Sequence, residues 1–136
     1  MKLLALLAPL ALFALTACQS GGAGGTGPSS VTGSVSYRER IALPPNCTVE
    51  VKLLDVSLAD APATIIGQAV INNPRGVPVP FRITFDPARI DQTRRYSVSA
   101  RITSGGRQLW ISDRSNPVLT QGHPSHIEVV VVLAEH

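Results

Sequence analysis

From residue 31 onward the apolar positions of this chain recur in twos. Val31, Gly33, Val35 and Tyr37 alternate with Thr32, Ser34 and Ser36, as a strand with one buried face requires. Val49, Val51 and Leu53 alternate with Glu50 and Lys52. Leu54, Val56 and Leu58 continue in the opposite phase, which predicts a bulge at Leu53–Leu54. Residues 64–71 form a third apolar stretch. Val79, Phe81, Ile83 and Phe85 alternate with Pro80, Arg82 and Thr84, and Pro78 and Pro80 demote that strand to a sheet edge. Tyr96, Val98, Ala100 and Ile102 alternate with Ser97, Ser99 and Arg101. Gly105-Gly106 predicts a hairpin turn into a strand over residues 108–112. Trp110 falls on the opposite face from Leu109 and Ile111 and is expected to be partly exposed. Residues 127–133 are a near-continuous valine run, which predicts a strand covered on both faces. The breakers Pro44-Pro45, Asp60-Ala61-Pro62, Asn73-Pro74-Arg75-Gly76, Asp86-Pro87 and Asn116-Pro117 lie between these runs. Asp86 followed by Pro87 predicts a capped helical turn. Helical periodicity is otherwise nearly absent. The pattern predicts an all-β domain, an antiparallel β-sandwich of about seven to eight short strands.

Before residue 31 the chain reads differently. Met1-Lys2 precedes an apolar segment over residues 3–15, interrupted only by Pro9. A bilayer-spanning helix needs roughly 20 apolar residues, so this segment has the proportions of a secretory leader. It ends in Leu15-Thr16-Ala17-Cys18, which resembles the bacterial lipobox. The resemblance implies cleavage before Cys18 and acylation of its thiol and of the new amino group. Several acyl chains anchor stably where one binds reversibly. The residue after Cys18 is Gln19 rather than Asp, which favours the outer membrane, with the body on its periplasmic face. Residues 18–30, rich in Gly, predict a flexible tether that reaches on the order of 20 Å. The glycines lack the Lys-Ser/Thr pair and following helix of a phosphate loop. The division predicted is thus leader 1–17, lipidated Cys18 and tether 18–30, and β domain 31–136.

The formal charge is +3, and loss of Lys2 with the leader leaves +2. Without a dense basic stripe this is no nucleic-acid footprint. Lys52 is the only lysine beyond the leader, so the remaining positive charge is arginine, which pairs carboxylates and phosphates through a planar fork. Of the two cysteines, Cys18 is committed to lipid. Cys47 is left as a lone thiol, expected to be half-buried filler. Asn46-Cys47-Thr48 matches a glycosylation acceptor only as a three-residue coincidence.

Chemistry-bearing constellations are sparse. His123 and His126 are three apart, His136 is terminal, and no third ligand stands near them, so no metal is expected. Ser125 lacks a nucleophile elbow. Asp86 and Asp91 flank a turn where they can pair with Arg89 or Arg94, and the Asp86-Pro87 context reads as a cap. No catalytic residue, cofactor or small-molecule substrate is expected. The candidate partner surface is Arg38, Glu39 and Arg40 at a strand end, with Trp110. Glu39 is expected to pair with a neighbouring arginine.

Several of these segments carry a family resemblance. They are Gly33-Ser34-Val35-Ser36-Tyr37-Arg38-Glu39-Arg40-Ile41-Ala42-Leu43-Pro44-Pro45, Val49-Glu50-Val51-Lys52-Leu53-Leu54-Asp55-Val56-Ser57, and Pro80-Phe81-Arg82-Ile83-Thr84-Phe85-Asp86-Pro87. Tyr96-Ser97-Val98-Ser99-Ala100-Arg101-Ile102 and Leu109-Trp110-Ile111-Ser112-Asp113 continue the match. Together they resemble the YbaY/YscW lipoproteins, a family related to the type III secretion pilotin. The resemblance implies a small β-sandwich lipoprotein without catalytic machinery. For pilotin members it implies a secretin partner. For other members it implies no settled role, and the alternative reading of this chain is a structural or glycan-interacting lipoprotein of the envelope. An extended peptide added to an open sheet edge is the expected mode of capture, with the strand over residues 31–37 as the acceptor. Mass spectrometry of the mature protein is expected to find Cys18 at the new N-terminus carrying acyl chains. An unmodified thiol there, or a retained leader, contradicts the anchor.

Overall fold

A computed structural model describes residues 29–134. The leader, Cys18, most of the tether and His136 lie outside the described residues. Eight strands are present: β1 (Ser29–Tyr37), β2 (Cys47–Asp55), β3 (Thr64–Asn72), β4 (Val79–Phe85), β5 (Tyr96–Ser104), β6 (Arg107–Ile111), β7 (Pro117–Val118) and β8 (His126–Leu133). Among the described residues the one helical element is a single 3-10 turn, Pro87–Arg89, and Asp86 caps it by accepting from the Ala88 amide. The all-β expectation holds.

The strand order is β3-β2-β5-β6-β8-β1-β4, with β7 paired to β5. The layer β4-β1-β8 faces the layer β3-β2-β5-β6. Only two residue pairs, Trp110↔Leu133 and Ile111↔Val132, join them at β6 and β8. One face of each strand fills the space between. Val31, Val35, Val49, Val51, Leu53, Val79, Ile83, Val98, Ile102, Val129 and Val131 are essentially inaccessible to water. This is the inner set that period two selects. The other seam, between β3 and β4, closes by contact at Gly67. A Cβ there would sit 2.9 Å from Ile83 Cγ2 and 3.0 Å from the Thr84 carbonyl. The result is a sandwich curled almost into a barrel.

Several expectations are refined by the structure. The register shift at Leu53/Leu54 is present, and the extra residue, Ile66, stands on β3. Leu58 falls in a loop beyond β2 and is exposed. β4 is a terminal strand of the order, as its prolines require. Gly105 and Gly106, both with positive φ (59° and 82°), make the β5–β6 hairpin turn. Trp110 does lie opposite Leu109 and Ile111, but that face is the core. Only 2% of Trp110 is accessible, so the expected partial exposure is corrected. Cys47, expected half-buried, is fully buried at the start of β2.

Two corrections concern the chain's last strand. The pairing is antiparallel except between β1 and β8, which run parallel with Thr32↔His126 through Tyr37↔Val131 in register. β8 is also not covered on both faces. Val129 and Val131 point into the core, while Val130 and Val132 are each 36% exposed. Burial on both faces follows when helices flank a parallel sheet, and no helix flanks this one among the described residues.

Close approach at the β1·β8 ladder depends on Gly33. A Cβ at that position would lie 1.8 Å from the Ile127 carbonyl oxygen, with the Phe81 ring 3.0 Å away. Gly33→Ala is expected to destabilise the domain by on the order of 3 kcal/mol or more in urea denaturation. Gly76→Ala, where nothing stands within 4 Å of the added methyl, is expected to stay within about 0.5 kcal/mol of the parent.

Candidate functional site

The residues after β1 are held by an aromatic pair. The Tyr37 and Trp110 rings stack, with centroids 4.3 Å apart and planes 7° from parallel. Each ring then uses its polar tip, as buried Tyr and Trp must. Tyr37 donates its hydroxyl to the Ile41 carbonyl at 2.6 Å, and Trp110 donates its indole N–H to Glu39 Oε1 at 3.0 Å. Burial first, and then the neighbouring Glu39 carboxylate, raises the Tyr37 pKa, so the phenol keeps the proton it donates. The segment from Arg38 to Ile41 is thereby folded back over the stack. Glu39 does not pair with an arginine as expected: its partner is the indole. Burial likewise raises the Cys47 thiol, opposed by a hydrogen bond with Ser104, so the sulfur stays protonated and inert.

That pinned segment forms one wall of a groove of about 340 Å³ lined by Arg38, Glu39, residues 113–116, Glu128 and residues 130–132. Its floor is the side of β8 turned away from β1. The Thr32 N–H donates to the Ser125 carbonyl at 3.0 Å, which fixes the phase of the parallel ladder. Ile127, Val129 and Val131 direct their backbone groups at β1, and Glu128 and Val130 direct theirs outward. β6 takes up β8 only from Val132 onward. Among the described residues no strand or side chain pairs the outward backbone groups of Glu128 and Val130. The groove therefore presents an open strand edge with exposed Val130 and Val132 beside it. Arg38 and Arg114 supply positive charge along it, and Glu39, Asp113 and Glu128 negative charge.

Of the candidate surface residues, Arg38 and Glu39 line this groove. Arg40 is exposed but outside the lining, and Trp110 lies beneath as the anchor of Glu39. β1, the expected acceptor edge, is flanked by β4 and β8 and offers none. Asp113, Arg114, Glu128, Val130 and Val132 were not anticipated. The outward-facing valines of the last run carried the signal.

The histidines do not converge. His126 sits on the outer face of the β1·β8 pair, sharing a hydrogen bond with Thr32 Oγ1 at 3.0 Å and contacting Glu128 Oε1 at 3.3 Å. Ser34 donates to the other oxygen of Glu128. The Ser34 hydroxyl and then His126 hold the Glu128 pKa below its ordinary value. This chain of bonds is a clasp across the ladder. His123 instead lines a separate cavity near Arg95. Asp86 and Asp91 act as caps, Asp91 receiving the Thr93 amide and hydroxyl, and among the described residues neither forms an ion pair. Arg94 pairs with Asp55 at 3.0 Å, and Arg89 donates to the Ile65 and Ile66 carbonyls. Among the described residues no three His, Cys, Asp or Glu side chains group for a metal.

Residues 27–131 match the family model described as type III secretion system lipoprotein chaperone (YscW). The chain belongs to the YscW family. It is similar to the "Uncharacterized lipoprotein YbaY" of Escherichia coli strain K12, 38% identical over 94 residues, which cover 68% of this chain and 50% of that protein. The chain thus spans about half the length of the curated relative it matches. It is also similar to a solved structure described as an alternative pilotin from the type II secretion system of Vibrio cholerae. That match has 44% identity and a TM-score of 0.73, covering 79% of this chain and all of that one. The YscW match confirms the resemblance borne by the Tyr37–Pro45 and Leu109–Asp113 segments. Together with the pilotin structure it places the chain in a pilotin-like lipoprotein chaperone family.

If Trp110 positions Glu39, Trp110→Phe keeps the stack and loses the indole donor, at an expected cost of about 1 kcal/mol. In a double-mutant cycle with Glu39→Ala, the two changes are expected to be non-additive by a similar amount. Strict additivity contradicts the positioning role.

Proposed function

We propose that the protein is a lipid-anchored chaperone of the outer membrane, held by Cys18 on the periplasmic side. There it captures an extended segment of a secretion-system envelope protein, a secretin subunit, at the open edge of β8. The observation that carries this reading is the pair of outward, unpartnered backbone positions at Glu128 and Val130, flanked by exposed valines. Strand addition uses main-chain hydrogen bonds for affinity and side-chain pockets for selectivity. The Val130 and Val132 side chains supply apolar contact. The mixed charges of Arg38, Glu39, Asp113, Arg114 and Glu128 set register and reject mismatched segments. The Vibrio cholerae pilotin, of similar fold, supports the choice of partner class. Nothing in the groove calls for a reaction, and binding alone accounts for its residues.

The edge predicts a specific variant. Val130→Pro removes an N–H that the β1·β8 ladder does not use, as proline is tolerated where a strand faces away from its ladder. The folded variant is expected to lose at least about tenfold in affinity for the secretin segment. It is also expected to leave the secretin out of the outer membrane. Undiminished capture by a correctly folded Val130→Pro chain contradicts the edge as the site.

A further inference from the structure

The end of the domain where β1 begins carries a second cavity, which shares only Ser115 with the lining of the groove. It measures about 420 Å³ and is lined by Val56, Arg95, Tyr96, Ser115, Pro117, Thr120, Gln121 and His123. Tyr96 and Thr120 form a buried floor, each 2% exposed. The Thr120 hydroxyl is committed to the Arg94 carbonyl, and the Tyr96 hydroxyl receives the Asp91 amide, so the floor is fixed. Arg95 and His123 stand exposed at the rim, and no carboxylate lines the space. The acidic groups nearby are already engaged: Asp55 by Arg94, and Asp86 and Asp91 by backbone amides. Among the described residues Arg95 has no carboxylate in ion-pair contact. The loop between β7 and β8 that supplies Thr120 to His123 holds Leu119 and Gln121 in left-handed backbone, φ 71° and 59°. Non-glycine residues adopt that conformation sparingly and often at binding sites.

The same loop forms one side of a shallower depression that includes Ser29 and Ser30, the first described residues. The cavity therefore opens at the end of the domain where the chain leaves toward Cys18. We infer that the Arg95–His123 cavity receives the phosphate of an anionic phospholipid headgroup. Arg95 would form paired hydrogen bonds to its oxygens, and Val56 and Pro117 would meet the glycerol carbons. The source of the headgroup rests on the reading that Cys18 is the anchor, since a tether of that length keeps this end within about 20 Å of the bilayer. Occupation would turn the β1-start end toward the membrane and the distal part of the β8 groove, with Arg38 and Val132, away from it.

The test is an amide NMR titration of the chain from Cys18 onward, made without lipid, so that failure of the cavity and failure of the anchor are read separately. Short-chain phosphatidylglycerol below its micelle-forming concentration is the probe. Shifts are expected at Arg95, Ser115 and residues 120–123. Arg95→Gln is expected to weaken binding at least about tenfold, the loss of a charged hydrogen-bond donor, and His123→Gln to weaken it less. Resonances away from the cavity should match those of the parent, which shows that both variants fold. Absence of those shifts, or an unchanged affinity in Arg95→Gln, overturns the site. Equal affinity for short-chain phosphatidylcholine overturns its selectivity for anionic lipid. Inorganic phosphate binding as tightly as the lipid makes free phosphate the ligand and overturns the membrane assignment.

Discussion

The parallel pairing of the first and last strands is the constraint on which this molecule turns. β1 lies between β4 and β8, and its ladder to β8 consumes the backbone groups of Ile127, Val129 and Val131. A parallel ladder uses alternate residues of a strand on each side. Closing the domain this way commits Glu128 and Val130 to the opposite side, where β6 is too short to reach them. The open edge is therefore a consequence of how the sandwich is closed. Gly33 permits the approach, because any side chain there would meet the Ile127 carbonyl. The clasp of Thr32, His126, Glu128 and Ser34 adds polar contacts across the same two strands on their outer face.

An exposed strand edge is an aggregation hazard that proteins ordinarily blunt. Here the charged side chains of Glu128, Arg38 and Arg114 surround the edge, and the segment over residues 113–116 partly covers it. The cover is held in place by contacts to β5, with the Val98 N–H donating to the Asn116 carbonyl and the Asn116 side-chain amide donating to the Val98 carbonyl. On the other wall, the Tyr37–Trp110 stack fixes Glu39 and the turn to Ile41. Both walls are thus preformed, which lowers the ordering cost of taking in an extended partner.

The strand positions were legible in the chain because burial of one face writes period two into a strand, and the bulge at Leu53 interrupts that period visibly. The proline-marked edge at β4 was legible for an equally local reason: proline cannot donate. What was not legible is non-local. Alternation at Trp110 tells which residues share its face but not which face is inward, so the pattern alone makes a core anchor look partly exposed. The valine run of β8 gives the same apolar signal whether a second layer covers it or an unpaired edge waits beside it. Strand order also leaves no local trace, so alternation alone does not tell the doubly paired β1 from the open side of β8. Charge at a strand end marks Arg38 and Glu39, and the fold places both on the groove. The groove's other wall comes from a loop some 75 residues later in the chain, which only the fold brings near.

Residue-resolved hydrogen exchange on the uncomplexed protein tests the central claim most directly. The account predicts that the amides of Val129 and Val131 exchange slowly while that of Val130, between them, exchanges fast, and that Val130 becomes protected when a partner segment is added. A Val130 amide as slow as its neighbours in the free protein would mean that the edge is already paired, and would contradict the account.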